Sequence, residues 1–303
     1  MKLDRTGLWC TFASYVLWGV LPIFWAALGN VDSLYLLGTR IAWSVVFYLI
    51  ILLITRDLGN VKAVLANRRE RLLLLGAGIA VTINWGLYIY SVNSGHVLDA
   101  SLAYYMNPLI SVAMGAIAFR ESVRPLQWAA VGVALTGILI NIICYGSIPY
   151  LALIISFSFA TYGLLKKQVA CNSILSGLVE ALFVLPPSLL YLLYAEWRGF
   201  GGLTVLPTAK YILLPLSGVI TAVPLLLYST GVKRIPLSIS GMLMYINPTL
   251  QMILGVLLFH ESFDLPRLIM FCFVWVGLLL FLAAGRKKKA DVPACIELES
   301  SSP

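Results

Sequence analysis

A chain of 303 residues that is 60% hydrophobic and only 11% charged cannot fold as an ordinary soluble domain. Its formal charge of +8 would suit nucleic acid in a soluble protein, but here the basic residues sit between apolar runs, which points to a polytopic membrane protein. Five cysteines fall singly within or beside those runs, with no spacing that suggests disulfides or a metal site.

Taken in order, ten spans are expected at about 7–28, 34–55, 71–91, 98–119, 126–144, 148–166, 173–194, 209–230, 236–259 and 266–285. Each is of the length that crosses roughly 30 Å of hydrocarbon. The first lacks a small-residue cleavage site and reads as a retained span rather than a signal peptide. The last residues, 287–303, are polar and read as a disordered cytoplasmic tail. Counting Lys and Arg in alternate connections puts 17 of 21 on one side, among them Arg56, Arg68, Arg69, Lys166, Lys167 and Lys233. The other side holds Arg198, Lys210 and Arg267, so both termini are expected in the cytoplasm of a bacterial inner membrane.

The chain also repeats itself. Tyr105-Met106-Asn107-Pro108 and Phe119-Arg120-Glu121-Ser122 recur, 140 residues on, as Tyr245-Ile246-Asn247-Pro248 and Phe259-His260-Glu261-Ser262. This predicts a first repeat over 1–145 and a second over 146–286, with five crossings each. Five is odd, so the second repeat enters the membrane the opposite way up, as in many alternating-access transporters. Proline inside a helix removes a donor and forces a kink, and interrupted helices at matching places in two halves point to a substrate site. No Gly-rich loop ends in Lys-Ser or Lys-Thr, so direct ATP drive is not expected.

A resemblance appears in these residues: Asn84-Trp85 with Tyr88 and Asn93, His96-Val97-Leu98, Ala100-Ser101-Leu102, Asn107-Pro108-Leu109 and Arg124-Pro125-Leu126-Gln127-Trp128. The second half adds Tyr162-Gly163-Leu164-Leu165-Lys166-Lys167, Val179-Glu180-Ala181-Leu182, Thr221-Ala222-Val223-Pro224-Leu225 and Asn247-Pro248-Thr249. In this order and spacing, over residues 7 to 285, the chain resembles the RarD branch of the EamA transporters, in the drug/metabolite transporter superfamily. The resemblance implies a ten-helix, inverted-repeat carrier that exports or exchanges small metabolites. The branch is associated by name with chloramphenicol sensitivity.

Tyr104, Asn107, Ser111 and Gly115 form one helical stripe, and Met244, Asn247, Gln251 and Gly255 form its counterpart. Polar groups facing lipid are costly, so these stripes should face protein or water. Ser111 and Gly115 suit close helix packing, while the Asn-Pro kinks suit a cavity. Trp18, Asn84, Trp85, Tyr88, Tyr105, Tyr162, Tyr228 and Tyr245 lie deep or beside polar stripes and are candidates to line that cavity. Trp9, Tyr35, Tyr150 and Tyr191 read instead as interfacial anchors.

Arg40 and Glu180 are the two charges expected inside the membrane, each roughly 10 Å below an opposite surface at 1.5 Å per residue. Direct pairing is therefore not the default. Each is read as binding solute or gating its own leaflet, with a proton on Glu180 as the candidate coupling ion. Glu121 and Glu261 each precede a span and are expected to cap it or to touch a gate. His260-Glu261 lacks a second His one turn on, His96 stands alone, and no nucleophile, base and orienter stand together, so no metal, cofactor or enzyme chemistry is expected.

The expected protein is an all-α inner-membrane carrier in which the two halves rock about a central cavity. Its expected partners are the bilayer, a small metabolite such as an amino acid or an amphipathic drug, and protons as coupling ions. The expected assembly is a monomer or weak homodimer. A passive pore, a lipid-headgroup flippase and a membrane scaffold are the alternatives.

Overall fold

A computed structural model describes residues 4–29, 31–94, 97–145, 150–258 and 265–285. The helices are α1 (Arg5–Leu28), α2 (Ser33–Ile54), the short α3 (Asn60–Ala66), α4 (Arg68–Asn93), α5 (Val97–Ala118), α6 (Pro125–Tyr145) and α7 (Tyr150–Gln168). They continue as α8 (Ser173–Trp197), the single turn α9 (Gly202–Val205), α10 (Leu213–Val232), α11 (Leu237–Leu243), α12 (Ile246–Leu257) and α13 (Leu265–Gly285). The described residues contain no strand. In hydrocarbon every backbone donor and acceptor needs an internal partner, which a helix supplies by itself. Seven stretches, those containing α1, α2, α4, α6, α8, α10 and the α11–α12 pair, are long and apolar enough to cross a membrane. Shorter apolar helices cover Leu102–Ala118 and Leu268–Ala284. Side chains that bond the first free N–H groups start several helices: Asp4 accepts from Gly7 N at 2.7 Å, Asp32 from Tyr35 N at 2.8 Å and Asn172 from Leu175 N at 2.8 Å.

Eight packed contacts close a ring: α1 on α10, α10 on α2, α2 on α8, α8 on α4, α4 on α7, α7 on α5, α5 on α11, and α12 back on α1. Members from before and after residue 146 alternate all the way round. α6 and α13 pack on one another outside the ring. Three pairs of helices that correspond under the 140-residue offset meet antiparallel. Tyr35 reaches Glu196 while Tyr48 lies on Gly177, so α2 and α8 run in opposite directions. Tyr245 Oη donates to the Tyr105 carbonyl at 3.1 Å while Gly115 lies on Ser238, so α5 and α11–α12 do the same. Arg124 donates to the Ala284 carbonyl at 2.8 Å while Gly137 lies on Phe273, which sets α6 and α13 antiparallel. The second half is thus inverted relative to the first.

The two Asn-Pro sites differ. The sequence leads one to expect a break at both, yet α5 stays helical through Pro108 and absorbs the missing bond. The ninth span is split instead, between Leu243 and Ile246. There the backbone tightens into three-residue turns, Tyr245 N to Met242 O at 3.3 Å and Asn247 N to Met244 O at 3.0 Å. Gly241 at this break lies against the Pro108 carbonyl and Ser111, so the intact helix props the broken one. The connection after α8 holds α9 and a 3-10 turn at Thr208–Lys210, and is tied back by Glu196, which accepts from Leu203 N at 2.9 Å.

Candidate functional site

Inside the ring lies a cavity of about 160 Å³. α1 contributes Trp18, Pro22 and Trp25, α2 contributes Arg40, and α4 contributes Asn84, Trp85 and Tyr88. α5 supplies Tyr104 and Asn107, α7 supplies Phe159, and the broken ninth span supplies Met244, Asn247 and Gln251. The polar stripes divide as helical spacing requires. Tyr104, Asn107, Met244, Asn247 and Gln251 face the cavity, whereas Ser111 and Gly115, further along the same turn sequence, meet α11.

The amides are held in fixed orientations. Asn84 Nδ2 donates to the Ile155 carbonyl at 2.7 Å and Gln251 Nε2 to Asn247 Oδ1 at 2.7 Å. Asn107 is 3% exposed, and its Oδ1 has no hydrogen-bond partner among the described residues. Among the described residues Arg40 is the one charge lining this cavity. Its guanidinium carbon sits 4.5 Å from the Trp85 ring centre and 4.7 Å from that of Trp25, and Nε donates to Thr221 Oγ1 at 2.8 Å. Each such ring contact stabilises a cation by about 0.5–2 kcal/mol, against an insertion cost of roughly 2.5–3.5 kcal/mol for a charge at a helix centre.

Towards the face where α1 begins, aromatic rings fill the ring of helices. Trp18 packs on Tyr228 at 5.6 Å and on Phe159 at 5.9 Å, Tyr228 stacks on Tyr162 at 5.8 Å, and Tyr15 bonds Ser240 Oγ at 3.1 Å. A smaller cavity, about 40 Å³, is lined by Trp85, Thr82, Tyr162, Lys166 and Glu180. Trp85 faces both.

Glu180 is not the solitary charge that the sequence suggests. Lys166 Nζ lies 2.5 Å from its Oε1, Ser176 Oγ donates to the same oxygen at 2.8 Å, and Lys166 also bonds Ser176. Lys166 is 1% exposed, so it is removed from the basic loops in which span prediction counts it. Helical spacing carries the signal that was missed: Ser158, Tyr162 and Lys166 recur every four residues on one face of α7. Trp25 likewise follows Trp18 and Pro22 along α1. Arg40 and Glu180 do not meet, because each has found other partners.

Of the other expected lining residues, Tyr228 belongs to the aromatic floor. Tyr105 and Tyr245 line neither cavity; Tyr105 packs edge-on to Phe271 of α13 at 5.1 Å, and Tyr245 bonds the Tyr105 backbone, because their positions on the helices face the neighbouring pair. Glu121 does not cap the helix that follows it. Arg120 takes a left-handed conformation, φ 50°, and turns Glu121 onto the start of α11, where its carboxylate accepts from Leu237 N at 2.6 Å and Ser238 N at 2.9 Å and lies 3.4 Å from Lys167 Nζ. Glu261, and the two histidines His96 and His260, lie outside the described residues.

Outside the spans, Lys233 donates to the Cys171 carbonyl at 2.6 Å, and Glu70 accepts from Ala170 N at 3.0 Å. Burial pushes the Cys171 thiol up to about 11, so it is almost wholly protonated at neutral pH. We expect Cys171 to react with a maleimide at pH 7.5 at least tenfold more slowly than a free thiol. The rate should climb until pH nears 11, which a labelling time course on a variant carrying only this cysteine would measure.

A profile of the EamA-like transporter family matches residues 5–143 and again residues 147–283. The chain belongs to that family. Protein RarD of Streptomyces exfoliatus is 36% identical to this EamA-like transporter over 304 residues, covering 99% of this chain and 96% of that protein. An uncharacterized transporter of Bacillus subtilis, YojE, is 39% identical over 288 residues, covering 94% and 96%. A solved crystal structure superposes with a TM-score of 0.70 over 93% of this chain and 99% of that one, at 18% identity, which shows the shared fold. With bacterial relatives and these apolar helices, the EamA-like transporter is a multi-pass inner-membrane protein that acts on a small molecule in a lipid environment.

Proposed function

We propose that this EamA-like transporter is a secondary carrier that exports or exchanges a small organic metabolite by alternating access through the central cavity. Ten crossings, both termini in the cytoplasm, and repeats over 1–145 and 146–286 followed by a tail over 287–303 complete the reading. The observation that carries it is the cavity of about 160 Å³, which combines aromatic faces, oriented amides and one cation and ends on a floor of packed rings. A passive pore would need an open path, whereas the buried Tyr15, Tyr162 and Tyr228 pack together on one side of the cavity, which supports the carrier.

Members of the two halves alternate around the ring, so the moving units are sets of neighbouring helices drawn from both halves, rather than one half rocking on the other. The break between α11 and α12 and the Glu121 contact with α11 are the natural hinge and latch at the face where α1 begins. Glu180, paired with Lys166, is the candidate proton carrier.

Saturable counterflow of a preloaded solute across proteoliposomes tests the carrier, and ohmic single-channel current would sink it. With an imposed pH gradient, Glu180→Gln is expected to abolish the gradient response; an unchanged pH dependence would end the proton reading. Removing the latch by Glu121→Ala forfeits about 1–2 kcal/mol of helix-end stabilisation, the scale of a lost cap. That corresponds to a roughly tenfold rise in conformers open at that face. The labelling rate of a cysteine placed at Thr82, in a background without native cysteines, should rise by the same factor.

A further inference from the structure

We infer that the cargo is an aromatic monocarboxylate, bound with its carboxylate on the in-plane edge of Arg40, and not a zwitterion or a neutral drug. This rests on the carrier reading and narrows its substrate. Arg40 is held against the faces of Trp25 and Trp85, at 4.7 and 4.5 Å, which fixes the plane of its guanidinium. Its one hydrogen bond, from Nε to Thr221, leaves the remaining N–H donors without a partner among the described residues. A planar fork of free donors matches a carboxylate in bidentate geometry, and a lysine could not reproduce it.

Charge balance points the same way. The ionisable pair of the smaller cavity, Lys166 with Glu180, is already neutral, and among the described residues Arg40 has no carboxylate partner. A monoanion makes the loaded cavity neutral, which lowers the cost of carrying it through a low-dielectric interior. A zwitterion would leave one positive charge uncompensated, and among the described residues no acidic side chain lines the cavity to receive its ammonium group. Asn107, another lining residue, has a buried Oδ1 with no hydrogen-bond partner among the described residues, so the cavity wall holds an acceptor that a rotation of the side chain would offer to an O–H or N–H substituent on the cargo. A cavity of roughly 150 Å³ suffices to bind benzene, so about 160 Å³ is the scale of one small ring.

The test uses the full chain, purified and in proteoliposomes, with three aromatic probes: benzoate, its neutral isostere benzamide, and zwitterionic phenylalanine. Equilibrium binding is expected to favour benzoate at least tenfold over both others. Arg40→Gln should bring benzoate down to the level of benzamide, and Arg40→Lys should keep part of the preference. If Arg40→Gln fails to give a monodisperse protein, the wild-type ratio and Arg40→Lys still decide, since a charge without the fork should bind benzoate several-fold more weakly. The inference is overturned if benzoate does not bind, if benzamide or phenylalanine binds as tightly, or if Arg40→Gln keeps the preference. Anion-selective binding with no counterflow would remove the carrier reading and leave this site standing. Counterflow of neutral or zwitterionic solutes that is indifferent to Arg40 would do the reverse.

Discussion

Glu180→Met alone is expected to cost about 3–5 kcal/mol of stability, and so is Lys166→Met alone, because each leaves the partner as an unpaired charge inside the bundle. Lys166 is 1% exposed and Glu180 6% exposed, and they meet at 2.5 Å. Removing both charges together, as Lys166→Met with Glu180→Met, should recover most of the loss, since a hydrophobic pair avoids the desolvation that the ion pair carries. Denaturant titration of the purified protein measures the three changes as a double-mutant cycle. A double variant as unstable as either single would show that the pair is not the unit. The same variant separates roles: if it is stable and exchanges solute but no longer responds to a pH gradient, the pair couples transport to protons; if it responds normally, the pair only holds α7 on α8.

Gly218→Ala is the second large effect. A methyl group there would lie 2.4 Å from the Trp43 backbone carbon and 2.7 Å from Ser44 N, so α2 and α10 could not keep their approach. Backbone cannot step aside as a side-chain tip can, and overpacking of this kind costs about 1–3 kcal/mol or more. The damage should also reach the site. Ser44 donates to the Gly218 carbonyl at 3.1 Å, and Thr221, one turn on, accepts from Arg40. Separating the helices therefore loosens the guanidinium as well. Thermal unfolding and benzoate binding should both fall, while Gly86→Ala, where nothing lies within 4 Å, should be neutral or gain up to about 1 kcal/mol from helix propensity. Equal effects at the two glycines would contradict this account.

Much of the site was legible because a helix projects its residues at a fixed period. Asn107 with Tyr104, and Asn247 with Gln251, could be placed on one face by counting, and both pairs line the cavity. Counting failed where the answer depended on a neighbour. Tyr105 and Tyr245 are as deep and as aromatic as Tyr88, yet they face the outer pair of helices and line neither cavity. Lys166 looked like a loop charge because it sits beside Lys167 at a span's end; only Glu180 on another helix explains its burial. Glu121 was legible as a cap, but not whose, since Arg120 redirects it onto a helix more than a hundred residues away.

The amino-acid sequence by itself determined that this chain is helical and bound to a membrane, and that its halves repeat with opposite sense. Composition, span length, an odd number of expected crossings and a constant offset depend on no contact. The tertiary structure alone decided that the halves interleave around one cavity, that only the second Asn-Pro helix breaks, and which partner each buried charge takes. Those outcomes turn on distances between helices far apart in the chain, where a difference of one turn, about 5.4 Å, moves a side chain from one partner to another.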